Sequence, residues 1–252
     1  MEAFVKTSID NRLATIVFFH PAQNSLPGIV LSQLAQQIQA CGVNPSLDLV
    51  LIKSEGEKSF CAGASFDELA AIEDLNAGQQ FFSGFSKVII AIRNCPVPVL
   101  GRIHGKAIGG GVGLAAAMDY AMASQYASIR LSELAVGIGP FVIGPVVERK
   151  MGLSAFQKMA LSPTEWQSAQ WAKEKGLYTE VFETVEQLDQ YITHFTNTLL
   201  TYNPEALRQL KKVFWEDCPA WEEKLQTRAA ISGQLVLSEF SKQAIAAFKK
   251  KS

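Results

Sequence analysis

Three consecutive glycines, Gly109-Gly110-Gly111, and a fourth at Gly113 stand in the stretch IGGGVGLAAAMDYA, residues 108–121, which carries no charge before Asp119. Upstream, SFCAGAS at residues 59–65 has the same plan in shorter form: an apolar segment runs into a glycine and then toward a helix that Ser65 can cap. A strand that passes through glycines into a helix leaves the first peptide N–H groups of that helix without intrahelical acceptors. Two such groups brought together can hold one oxygen. When that oxygen is a thioester carbonyl, the donors stabilise the charge that develops as an enolate forms beside it. Further on, Glu133 opens a run of fourteen uncharged residues, Leu134 to Val147. Burial in an apolar loop raises a carboxyl pKa toward the range useful for proton transfer.

Other chemistries fit the same residues less well. Gly111-Val112-Gly113-Leu114-Ala115-Ala116 matches GxGxxA, with Glu133 twenty residues after Gly113, but Glu133 is followed by LAVGIGP and not by the next helix of a dinucleotide-binding unit. No GxxxxGK[ST] occurs. Gly63-Ala64-Ser65-Phe66-Asp67 lacks the closing glycine of a nucleophile elbow, and His20, His104 and His194 have no spacing that suits a catalytic base or a metal. His104 and Lys106 are expected to support the turn before the glycines, and Asp119 to be a structural residue past the helix.

The elements that must position these groups can be read from periodicity. FVKTSI and LATIVFF form a strand pair around Asp10-Asn11, residues 29–41 a helix, and 47–52 a buried strand, a βαβ-like step. SFCAGAS is a strand ending at Gly63, and Ser65 with Glu68 three residues later marks the start of helix FDELAAIEDL. A helix over 79–93 and the strand VPVLGRI lead into the glycine run. Beyond Ser128 come the strand SIRLS, a loop broken by Gly and Pro, helices at 145–151, 154–161 and 164–175, and a strand at 179–182. Helices at 184–200, 203–216 and 220–250 complete the pattern. The apolar residues of the last helix, such as Leu225, Leu235, Val236, Phe240, Ile245 and Phe248, require cover from the α/β part or from a partner subunit.

Composition bounds the partners. The 252 residues are 48% hydrophobic, enough for a substantial core, and 23 basic residues against 24 acidic ones provide no basic stripe for nucleic acid. Cys41, Cys61, Cys95 and Cys218 lie far apart without a CxxC pair, so reduced thiols in a cytoplasmic protein are expected, with no metal. MEAFVKTSID does not resemble a secretory signal, and the uncharged run from Leu134 is too short and too rich in Gly and Pro to span a membrane.

KSFCAGASFDEL, PVPVLGRIHGKAIGGGVGLAAAMDYAMAS and SELAVGI, in this order and at these separations, resemble the enoyl-CoA hydratase/isomerase, or crotonase, superfamily. The likeness runs from the NSL segment at residues 24–26 to the helical tail. It implies an α/β fold, a spiral of ββα units, with a core over residues 1–195 and a helical oligomerisation region over 196–252 that makes homotrimers, often paired into homohexamers. It also implies an acyl-CoA thioester substrate, coenzyme A entering as part of that substrate with no separate cofactor. The amides of Ala64 and Gly110 would form the oxyanion hole, and Ala62, Gly63, Ser65 and Phe66 would flank the CoA adenine and pantetheine. Lys249 and Lys250 are expected at a solvated helix end, within reach of CoA phosphates of a neighbouring subunit.

Hydratases of this superfamily carry two glutamates, and here the first position is Gly113 and only the second, Glu133, is an acid. Adding water across a conjugated double bond is usually shared between two acids, whereas moving a double bond needs one group to take a proton and return it elsewhere. The run from Glu133 through GIGPF resembles the single-glutamate Δ3,Δ2-enoyl-CoA isomerases. Isomerase is therefore the first expectation, and a 2-enoyl-CoA hydratase and a CoA-binding protein without turnover remain open.

Overall fold

Strands form where β-branched and aromatic residues can be buried on one or both faces. The computed structural model describes residues 2–249. The chain opens with β1 (Phe4–Asp10), β2 (Leu13–Phe19), β3 (Ser25–Leu26), α1 (Gly28–Gly42), β4 (Leu49–Ser54), β5 (Ser59–Cys61) and β6 (Gly63–Ala64). It continues with α2 (Phe66–Ala70), α3 (Leu75–Asn94), β7 (Val99–Ile103), β8 (Lys106–Ile108), α4 (Gly110–Ala117), β9 (Tyr120–Ser124) and β10 (Ile129–Arg130). After a 3-10 turn at Glu133–Val136 follow α5 (Gly144–Met151), α6 (Leu153–Leu161), α7 (Ala169–Glu174) and β11 (Glu180–Phe182). Helices α8 (Val185–Leu199), α9 (Pro204–Phe214), α10 (Trp221–Leu235) and α11 (Glu239–Lys249) end the described chain.

The main sheet has the order β1-β2-β4-β7-β9-β11, antiparallel between β1 and β2 and parallel elsewhere. Strand β4 is buried almost throughout, as a central parallel strand must be, while β1 at the edge leaves most of its length open. A second sheet, β10-β8-β5, and the pair β3-β6 lie beside it. Strands β2, β4 and β7 are each followed by one or two short strands in another sheet and then by a helix, as in β2-β3-α1 and β7-β8-α4. The result is an α/β spiral of ββα units. Its consequence for chemistry is that the short strands β6 and β8 deliver the starts of α2 and α4 to the same region.

Several elements differ from their expected lengths, each for a local reason. FDELAAIEDL is helical only over α2, because the Asp74 carboxylate accepts from the Ala77 amide at 2.8 Å and begins α3 four residues earlier than expected. The expected helix at 164–175 shrinks to α7, since Gln167 exchanges two backbone hydrogen bonds with Ile129 and Ser168 then caps the Trp171 amide. The helix expected over 220–250 is broken: Val236 turns into the core and the Ser238 hydroxyl accepts from the Ser241 amide at 3.2 Å, starting a new helix. Strand β9, within the YAMAS stretch, was not anticipated at all.

The C-terminal helices join the core of the α/β part. Trp215, Trp221, Leu225 and Ala229 belong to the same buried cluster as the sheet residues, and α10 lies against α3 with backbones in contact at Gly78 and Gly233. A Cβ on Gly78 would stand 2.8 Å from the Gly233 carbonyl oxygen. Helix α9 is pinned by Asp119, whose side chain is 3% exposed and accepts from the Val99 amide, Lys211 Nζ and Trp215 Nε1 at 2.7–2.8 Å. Of the tail residues needing cover, Leu225, Val236 and Ile245 are buried by the chain itself, while Phe240 is 66% exposed.

Candidate active site

The first segment of the site is held by three side chains. Ser65 accepts from the Glu68 amide and caps α2, Glu68 accepts from the Gly28 amide at 2.8 Å, and the Ser25 hydroxyl donates to the Ala64 carbonyl at 2.8 Å. The Ser65 amide donates to Leu26 in the neighbouring strand, and because successive N–H groups alternate along a strand, the Ala64 N–H points away from β3. Gly63 has φ +90°, and a Cβ there would stand 3.1 Å from the Ile108 carbonyl oxygen and 3.7 Å from the Gly110 nitrogen. The two glycine-bearing segments therefore meet.

Gly110 and Gly111 supply the first two amides of α4. The Val112 and Gly113 amides both close onto the Gly109 carbonyl, at 2.9 and 3.3 Å, but among the described residues neither the Gly110 nor the Gly111 amide has an acceptor. These open donors carry the positive end of the helix dipole. Gly109, at φ +52°, makes the turn into the helix, and a Cβ on it would stand 2.8 Å from Glu133 Oε1. The carboxyl group thus lies against the residue that precedes the open amides.

Glu133 begins the 3-10 turn that follows β10. Part of the residue opens onto a cavity, but Oε2 is buried and has no hydrogen-bond partner among the described residues. Burial pushes its pKa from 4.5 up to about 7, against the lowering effects of the nearby backbone amides of Glu133 and Ser132 and of the Arg130 charge. A carboxyl group so placed can both take and return a proton near neutral pH.

The cavity, about 90 Å³, is lined by Ala62, Gly63, Ala64, Phe66, Gly110 and Glu133 together with apolar side chains from elsewhere in the chain. Phe81, Phe82 and Phe85 come from α3, Val136 and Ile138 from the turn and loop after Glu133, and Phe141 to Ile143 from the approach to α5. Sequence reading missed the α3 phenylalanines and Ile143. The Phe85 ring presses on Gly110, where a Cβ would come within 2.6 Å of three ring carbons, and this explains why position 110 holds glycine. Gly113 faces Ile143, whose Cγ2 would lie 2.3 Å from a Cβ at that position. The space where the superfamily resemblance places a second glutamate is filled by a methyl group.

The remaining candidates lie elsewhere. Ser65 acts as the cap of α2 and does not line the cavity, and none of His20, His104 and His194 lines it either. His104 is buried with both ring nitrogens unpartnered among the described residues, and burial pushes its pKa down to about 4. Lys106 stands over the Trp166 ring, Asp119 is the structural anchor described above, and Lys249 pairs with Asp67 at 2.8 Å. Lys250 lies outside the described residues. Among the described residues no group of His, Cys, Asp and Glu could hold a metal, and no helix is long and apolar enough to cross a membrane.

Known proteins resemble the chain over nearly its whole length. The family model described as enoyl-CoA hydratase/isomerase matches residues 8–252. A probable enoyl-CoA hydratase of Bacillus subtilis (strain 168) is 24% identical, over 98% of this chain and 96% of that protein. The mitochondrial methylglutaconyl-CoA hydratase of Mus musculus is 31% identical over 75% of this chain, and the match spans 61% of the mouse protein's length. The crystal structure of an enoyl-CoA hydratase from Bacillus halodurans superimposes with a TM-score of 0.89 at 19% identity, over 96% of this chain and 99% of that one, a likeness of fold.

Proposed function

Since the chain belongs to the enoyl-CoA hydratase/isomerase family, we propose that it converts a 3-enoyl-CoA thioester into the 2-enoyl isomer with Glu133 as the sole proton carrier. The amides of Gly110 and Ala64 hold the thioester oxygen. Ionised Glu133 takes a proton from C2, and the electron pair moves onto the carbonyl to form a dienolate that the two amides stabilise. The carboxyl group then returns the same proton to C4, the C2–C3 double bond forms, and the carbonyl is restored. No water is consumed.

The observation that carries this reading is Ile143 packed against Gly113. Addition of water needs a polar group to hold and polarise that water, and the position assigned to it by the family resemblance is occupied by hydrocarbon. Hydration is the second reading, favoured by the names of the Bacillus subtilis and mouse relatives. A CoA-binding protein without turnover is the third.

Purified protein assayed with 3-enoyl-CoA and 2-enoyl-CoA of equal chain length, beside Glu133→Gln, separates the three. Isomerisation that disappears in the variant supports the proposal, 3-hydroxyacyl-CoA as the main product supports hydration, and tight binding without any product supports the third reading. A homotrimer or homohexamer belongs to the same proposal. The exposed Leu210, Val213 and Phe214 of α9 and Phe240 of α11 support it, and light scattering measures it.

A further inference from the structure

Among the described residues, three side chains lining the cavity beside Glu133 are able to hydrogen-bond: Ser132, Glu133 and Ser232. The first two belong to the segment next to the open amides, but Ser232 arrives from α10. It is 1% exposed, its carbonyl accepts from the Val236 amide at 3.0 Å, and among the described residues its hydroxyl has no partner. A helical serine can satisfy its hydroxyl on the carbonyl one turn back. Ser232 does not take that option and stands in the cavity wall among phenylalanines of α3. A hydroxyl in an otherwise apolar cavity wall gives a polar group of a ligand a hydrogen-bond partner that the surrounding side chains cannot supply.

Its place in the fold sets which part of a ligand it meets. The neighbouring Gly233 crosses α3 at Gly78, whereas Phe85, seven residues further along α3, covers Gly110. Seven residues advance a helix by about 10 Å. Ser232 is therefore displaced along α3 from the Gly110 donor, by a distance that corresponds to several bonds of an acyl chain. Among the described residues the cavity lining contains no Lys, Arg or His, and its one ionisable group is Glu133. A carboxylate on the acyl chain would be buried here without a counter-ion.

We propose that Ser232 is a specificity-determining residue whose hydroxyl bonds a neutral keto or hydroxyl oxygen carried on the acyl chain several bonds beyond the thioester. The preferred substrates are then oxygenated acyl-CoA thioesters without a charge on the acyl group. This assignment rests on the acyl-CoA reading above.

Equilibrium titration tests it without turnover. The probes are a saturated straight-chain acyl-CoA, its penultimate-keto and terminal-hydroxyl derivatives, and its terminal carboxylate, each bound to wild type and to Ser232→Ala. The wild type should bind at least one neutral oxygenated probe roughly 10-fold more tightly than the plain chain, and the carboxylate more weakly than the plain chain. Ser232→Ala should lose the preference while binding the plain chain unchanged, which also shows that the variant is folded. A preference that survives in Ser232→Ala, no preference in the wild type, or an equal loss for every probe overturns the assignment and leaves the acyl-CoA reading standing. Wild-type protein that binds none of the probes overturns both.

Discussion

Glu133→Gln should stabilise the protein at alkaline pH while abolishing turnover. The carboxyl pKa is raised from 4.5 to about 7 because burial disfavours the charged form. A raised carboxyl pKa means that the folded state binds the proton more tightly than the unfolded state. The stability that Glu133 contributes is therefore complete below about pH 4.5 and is lost as pH climbs to about 7. A shift of this size corresponds to about 3 kcal/mol, at 1.36 kcal/mol per unit. Glutamine carries no charge at any pH and does not incur this loss. Urea unfolding of both proteins at pH 5 and pH 8 gives the difference between the two stability gaps, in which the amide's own burial cost cancels. The variant should gain about 2–3 kcal/mol relative to wild type between the two conditions, a change of roughly 5–10 °C in Tm. A gap that is the same at both pH values would refute a buried, charge-disfavoured Glu133, whatever the activity of the variant.

Three further substitutions probe the surroundings. Gly109→Ala should cost about 1–2 kcal/mol for a non-glycine residue at φ +52° and displace the Glu133 carboxyl, reducing kcat roughly 100-fold; steady-state kinetics and thermal unfolding measure the two effects. Gly113→Ala should destabilise by about 1–3 kcal/mol through overpacking on Ile143, and Ile143→Val in the same chain should restore part of that loss in denaturant unfolding. Asp119→Asn leaves Lys211, 2% exposed, without its counter-ion and should cost about 3–5 kcal/mol by the same measurement.

What could be read in advance was local. β1 and β2, α1 and β4 follow from hydrophobic period and turn residues, and the Ser65 cap from its spacing to Glu68. The two glycine segments and Glu133 stood out through the motifs they share with the enoyl-CoA hydratase/isomerase family, and in the structure Ala64, Gly110 and Glu133 line one cavity. Their partners did not stand out. Phe81, Phe82 and Phe85 look like the core face of any amphipathic helix, and only the packing of α3 on the start of α4 turns Phe85 toward Gly110. Ile143 sits among other apolar residues and acquires meaning from facing Gly113. Ser232 lies on a helix whose approach depends on Gly78 and Gly233 meeting across more than 150 residues, a contact with no sequence period. The break in the last helix was hidden because Val236-Leu237-Ser238 continues an apolar pattern while Ser238 starts a new cap.

The central claim, that one carboxyl group takes a proton from C2 and returns it to C4, is tested most directly by isotope transfer. A 3-enoyl-CoA deuterated at C2 is converted in ordinary water, and the 2-enoyl product is read by NMR for deuterium at C4. A single carboxyl in an apolar cavity predicts that part of the label appears at C4, and that Glu133→Gln forms no product. A product whose new C4 hydrogen comes entirely from solvent, or conversion that persists in Glu133→Gln, would contradict the account.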